Sequence, residues 1–182
     1  MDYDQGPKAR TPLVSLSFRD VKVGGEWGAR RSLMERRLLT WYPVSRDESP
    51  DKPLDLDKDI LTLWTRRLPP AEMRNEPNSY TGLGKTLQAL IHYAADGRDA
   101  HLIAEKDRIV GIVLDSQDSD GYWGTILRTD GDPAGALWQI WNLHDGVYLG
   151  LALTDNFRLF DHKPSLEAAR RYADFVIAHW DK

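Results

Sequence analysis

The chain has 182 residues, with 24 lysines and arginines against 28 aspartates and glutamates, and no cysteine. That length suits one domain or part of a larger one, and 41% apolar with 29% charged residues is a globular composition. A net charge of −4 supplies no broad positive field, which argues against nucleic acid as a partner. The missing thiols exclude disulfides, cysteine-ligated zinc, iron–sulfur clusters and a thiol nucleophile within this chain. No stretch approaches the roughly 20 apolar residues that cross a bilayer, so no membrane partner is expected. The polar start Met1 to Lys8 lacks the apolar stretch of a secretory signal. The compartment stays open between cytoplasm and export with a signal already removed.

Residues 1–11 read as a disordered tail and 12–182 as one domain. Val14, Leu16 and Phe18 alternate with Ser15 and Ser17, a period of two that predicts a short strand or extended arm over 12–23. Gly24-Gly25 breaks it. From Ala29 to Trp41 the residues Leu33, Met34, Leu38 and Trp41 fit a helical stripe, with Arg30, Arg31, Arg36 and Arg37 as a solvated face. Prolines and acidic groups make 43–59 a loop, and 69–78 reads as irregular around Pro69, Pro70 and Pro77. Between them Ile60 to Arg67 suits a short helix.

From Tyr80 the character changes. Leu83, Leu87, Leu90, Ile91 and Ala94 recur at helical spacing until Asp96-Gly97 ends the run. Asp99 can cap the next helix, whose stripe runs Leu102, Ile103, Ile109, Val110, Val113 and Leu114. The run Ile109 to Val113 has strand propensity, but the unbroken spacing favours helix over 99–117. A polar loop follows, then a helix over 138–159 with Trp141, Val147, Leu151 and Phe157 among its apolar positions. The last helix, 162–180, carries Pro164 in its first turn, where a missing N–H costs little. Tight turns pair these helices into two antiparallel hairpins, and stacked hairpins build solenoids or toroids whose loops gather on one face.

Three groups of residues could carry chemistry. In Asp118 to Trp123, the carboxylates of Asp118 and Asp120 can accept from sugar hydroxyls, and Tyr122 and Trp123 can stack on a sugar's C–H face. The plainer reading is a turn whose aromatics cap the core. In Trp138 to Asp145, His144 can donate to a hydroxyl and Asp145 can accept one beside Trp141; the plainer reading places the tryptophans and His144 in the core. The remaining histidines, His92, His101, His162 and His179, show no metal-ligand spacing. Gly82-Leu83-Gly84-Lys85-Thr86 lacks the spacing and preceding strand of a phosphate loop, and close helix packing explains its glycines better.

Taken in order, Phe18 to Glu26, Tyr80 to Lys85, Gln117 to Tyr122, Trp138 to His144 and Ser165 to Asp174 resemble the catalytic domain of glycoside hydrolase family 127, the β-L-arabinofuranosidase-like proteins. The resemblance covers roughly residues 12–180. It implies a mostly α fold, with helix hairpins forming part of an (α/α)6 toroid beside a short N-terminal extended or β segment. It also implies an arabinofuranoside-containing glycan as partner, touched by His144, Asp145, Trp141, Asp120, Tyr122 and Trp123. In that family, retaining hydrolysis is attributed to a cysteine nucleophile held with other cysteines and a glutamate around zinc, plus a glutamate acid/base, all downstream of the matched part. The expectation for this chain is therefore an N-terminal portion with part of a sugar pocket and no catalytic centre, no catalytic residue and no metal ligand. Zinc would belong to a full-length relative. The competing expectation is a non-catalytic hairpin module binding carbohydrate or protein. Exposed apolar groups on the last helix, such as Phe175 and Trp180, would favour self-association.

Overall fold

The structure, a computed structural model, describes residues 21–40, 60–75, 82–129, 135–139 and 141–180. Seven α-helices lie among them: α1 Gly25–Thr40, α2 Thr62–Arg66, α3 Pro70–Met73, α4 Leu83–Gly97, α5 Ala100–Asp115, α6 Asn142–Phe160 and α7 Lys163–His179. A 3-10 turn, Gly135–Trp138, precedes α6. The expected tail, most of the N-terminal arm and the 43–59 loop lie outside the described residues. Residues 21–24, which are described, form no strand. Among the described residues β pairing includes one parallel bridge, Leu68 to Ile126, where the Leu68 amide donates to Thr125 and its carbonyl accepts from Leu127.

The hairpins form where the sequence places them, with local differences. Asp99 caps α5, its Oδ1 accepting from the amides of His101 at 2.8 Å and Leu102 at 3.1 Å, which satisfies two of the orphan donors of a helix start. The Ile109 to Val113 run is helical, because Leu102, Ile109, Val110 and Val113 all bury on one face. At the end of α4 the left-handed residue is Arg98 rather than Gly97, and Asp161 takes the same role after α6. The 69–78 stretch is not wholly irregular: Pro70 opens α3, and Met73 buries fully. The helix predicted from residue 138 starts instead at Asn142, after the 3-10 turn.

The core sits between α4 and α6, the two inner members of the hairpin pair. Leu87, Leu90, Ile91 and Ala94 of α4 meet Leu149, Ala152 and Leu153 of α6, with α5 and α7 behind. Gly84 permits this approach. A Cβ there would land on the backbone of Tyr148 and Leu149, so helix packing accounts for that glycine, as expected. Gly146 plays the same part between α6 and α7, where a Cβ would strike the Tyr172 hydroxyl.

On three helices the buried face differs from what the sequence pattern suggests. On α6 Val147 and Leu151 are exposed, and the buried face carries Leu149, Ala152, Leu153 and Asn156, because the closest approach to α4 lies on that side. On α7 Phe175 is buried against Tyr122, with ring centroids 5.5 Å apart, while Trp180 is exposed as expected. On α1 Leu38 is buried, Leu33 and Met34 stay exposed, and Arg31 leaves the solvated face to pair with Glu35 and with Asp96 of α4.

Candidate functional site

The loop from Gln117 to Arg128 is built as a clamp. Gly121 has φ +98°, and a Cβ there would meet the Arg171 carbonyl on α7, so glycine is needed for backbone reasons. Asp118 accepts from Arg67 at 2.7 Å and from Arg128 at 2.6 Å, and Asp120 accepts from Arg128 at 2.6 Å. Burial alone would push the Asp120 carboxyl up, but the Arg128 hydrogen bond and charge, with the Tyr122 amide, outweigh it and hold it below the usual range. Both guanidinium groups lie over the Tyr122 ring, Arg67 at 5.0 Å and Arg128 at 4.7 Å.

Tyr122 and Trp123 are fully buried. Their rings offer no face to a ligand, so the expected sugar-stacking role does not fit them, and the core-capping reading does. The Tyr122 hydroxyl donates to the Ile126 carbonyl at 2.8 Å and accepts from Asn142 at 2.9 Å, while burial pushes its pKa up to about 12. Trp123 donates to Val113 at 3.1 Å. Asn142, given no role in the sequence reading, also accepts from the Thr125 amide and donates to the Ala136 carbonyl. A polar residue just before an apolar helix run was the available signal.

At the same end of α6 a different surface is presented. Trp138 and Trp141 are about half exposed, so neither is a core tryptophan. The rings of Trp141 and His144 meet edge to face with centroids 5.8 Å apart, and His144 lies 4.8 Å from Tyr148. The spacing 141, 144, 148 makes this one helical stripe. Asp145 is buried behind it, its Oδ1 3.6 Å from His144 Nδ1. It lies behind the imidazole rather than facing solvent, and at 3.6 Å the two are not hydrogen-bonded. Across the seam Lys85 of α4 sits 4.4 Å above the Tyr148 ring. Lys85 and Tyr148 were not among the predicted site residues; the seven-residue step from Trp141 to Tyr148 was the readable clue.

Two turns further along the seam, Asp155 of α6 accepts from Gln88 at 2.8 Å and pairs with His92 Nε2 at 2.9 Å. Burial raises the Asp155 carboxyl, yet the Gln88 and His92 hydrogen bonds prevail and hold it below the ordinary carboxylate range. His92 in turn lines a cavity of about 550 Å³ between α4 and α1, with Trp27, Arg30, Met34 and Tyr93. The α4–α6 seam therefore carries aromatic, imidazole, amide and carboxylate groups in sequence.

The resemblance implies a thiolate-held zinc. A chain without cysteine cannot supply thiolate ligands, and among the described residues no group of three His, Asp or Glu side chains could hold a metal ion. The zinc set does not fit these residues. No helix among the described residues is long and apolar enough to cross a membrane.

Among curated proteins and among solved structures, none matches the chain. The sequence profile described as β-L-arabinofuranosidase, GH127 catalytic domain, matches residues 30–182, which include both hairpins and the α4–α6 seam, and the chain thus belongs to the glycoside hydrolase family 127 catalytic-domain family.

Proposed function

We propose that the stripe Trp141, His144 and Tyr148, with Lys85 opposite, forms part of a sugar-binding surface for arabinofuranoside-containing glycans in a glycoside hydrolase. The observation that carries this reading is the half-exposed Trp141 ring beside a histidine backed by a buried aspartate. An indole face accepts the C–H side of a sugar ring, and an oriented imidazole exchanges hydrogen bonds with its hydroxyls. Asp145 is buried against His144 and does not itself reach the surface. Asp120 holds the Arg128 clamp in place and serves the sugar surface only through the loop.

The two hairpins are read as part of an (α/α)6 toroid. What supports this is that α4 and α6 pack side by side, each beside its hairpin partner, α5 or α7, while α1 adjoins both α4 and α5. The polar and aromatic stripe runs along the α4–α6 seam, where a toroid's inner face would be. Bond cleavage is assigned to no residue of this chain.

A second reading is favoured by the lack of cysteine: a hairpin module that binds carbohydrate or protein without chemistry. Calorimetric titration with methyl β-L-arabinofuranoside tests the binding claim. Trp141→Ala and His144→Ala should each weaken binding about fivefold, the loss of roughly 1 kcal/mol. Unchanged affinity in both variants would remove the proposed surface. Turnover of the same glycoside by this chain would end the second reading.

A further inference from the structure

The α6–α7 hairpin packs one side against α4 and α5 and leaves its other side open. From the geometry we infer that this open side is a self-complementary docking surface, on which the same hairpin of a second copy of the chain packs about a two-fold axis. The inference goes beyond the sugar reading and uses no residue of the Trp141 stripe.

Three observations carry it. The first is shape. Between the helices runs a groove of about 330 Å³, whose walls include Val147, Leu151 and Ile177, all exposed. Gly150, Ala169 and Ala173 lie between them, and a Cβ on Gly150 would meet nothing within 4 Å. Branched apolar walls over a floor of small residues take the ridge of another helix.

The second is charge. Arg170, Asp174 and Ile177 follow one another at intervals of four and three residues, so they form one ridge of α7 beside the groove. The Arg170 side chain is 68% exposed and reaches Glu167 at 3.9 Å, the outer limit of an ion pair. Asp174 is exposed and makes no ion pair among the described residues. A positive group followed by a negative one is complementary to the same ridge run backwards. A two-fold axis at the level of Tyr172, midway between them, sets Arg170 of each copy opposite Asp174 of the other. Ala169 and Ala173 flank that axis, where small side chains let two helices approach.

The third is the kind of partner. The face belongs to a helical hairpin, and the structure shows what this hairpin packs on: another hairpin, α4–α5. A rim of one sign would call for a foreign partner of the opposite sign, whereas an alternating rim suits a copy of itself.

Sedimentation equilibrium of the whole chain over a concentration series tests this. The mass should rise from 20.8 kDa to twice that value and stop there, because an isologous contact closes. Gly150→Lys puts a long side chain into open space on the monomer, so the fold is kept, as far-UV circular dichroism would verify, and the mass should stay at 20.8 kDa. Arg170→Glu and Asp174→Arg should each weaken pairing about tenfold, by setting like charges opposite one another, and the double variant should restore it. A mass of 20.8 kDa for wild type at every concentration up to about 0.5 mM overturns the inference and leaves the face to a different helical partner. So do species beyond a dimer, a dimer that survives Gly150→Lys, or a double variant that pairs as weakly as the single ones.

Discussion

Gly84→Ala tests the central packing of the molecule in one step. A Cβ at this position would sit on the Leu149 amide nitrogen and the Tyr148 carbonyl carbon, and 2.8 Å from Tyr148 Cβ. The obstacle is mainly backbone, so no rotamer change relieves it, and α4 and α6 must separate by about 1 Å across a close-packed core. Overpacking of this kind costs about 1–3 kcal/mol, with backbone obstruction toward the upper end. Alanine's helix propensity returns up to about 1 kcal/mol. The net loss is about 2 kcal/mol, or a fall in Tm of about 4–8 °C for a chain of this size.

Gly111→Ala is the matched control. It lies within α5, has no atom within 4 Å of a built Cβ and does not have a positive φ. The same substitution there should stabilise by about 0.5–1 kcal/mol. Urea and thermal melts followed by far-UV circular dichroism would read both variants. Opposite signs support the α4–α6 contact. If Gly84→Ala raises Tm as Gly111→Ala does, the two helices do not meet at backbone distance, and the hairpin packing argued here is wrong.

Asn142→Ala should cost about 2 kcal/mol, because it leaves the buried Thr125 amide without its acceptor and removes the donor to the Tyr122 hydroxyl and the Ala136 carbonyl; a loss below about 1 kcal/mol in urea melts would show that the amide does not knit the loop to α6. Stability should fall with acidification below about pH 4. Asp120 and Asp155 have depressed native pKa values, so their contribution is complete above the unfolded carboxylate range and is lost as pH drops through the native values. Asp155→Asn should flatten that dependence in urea midpoints taken between about pH 5 and pH 2, and an unchanged slope would contradict the His92–Asp155 pairing. Self-association through the apolar groove between α6 and α7 should decrease on Ile177→Lys, since Val147, Leu151 and Ile177 are all exposed along it. Light-scattering mass over a concentration series reads this, and identical curves for both proteins would exclude that face.

Local order was readable in the chain itself. The 3.6 period of Leu83, Leu87, Leu90 and Ile91 marks α4, Asp99 announces the start of α5, Pro164 suits the first turn of α7, and the turns are too short to allow anything but antiparallel pairs. The blocks around Gly82, Asp120 and His144 carried the family resemblance, and the profile match bears it out. These features depend on residues near one another in sequence, whose steric and capping preferences act whatever surrounds them.

The choice of buried face was decided only by tertiary contacts. Periodicity says that Val147 and Leu151 share a side of α6, but not that this side stays open while Leu149 and Leu153 meet α4. The family resemblance likewise implied a sugar contact at Tyr122 and Trp123. Packing against Phe175 and Tyr172 instead turned both rings inward. The candidate site has the same origin: Trp141 and His144 were visible as a cluster, but Lys85, His92 and Asp155 join them only because α4 and α6 lie side by side. Burial is a property of pairs of surfaces, and a single helix's pattern contains only half of each pair.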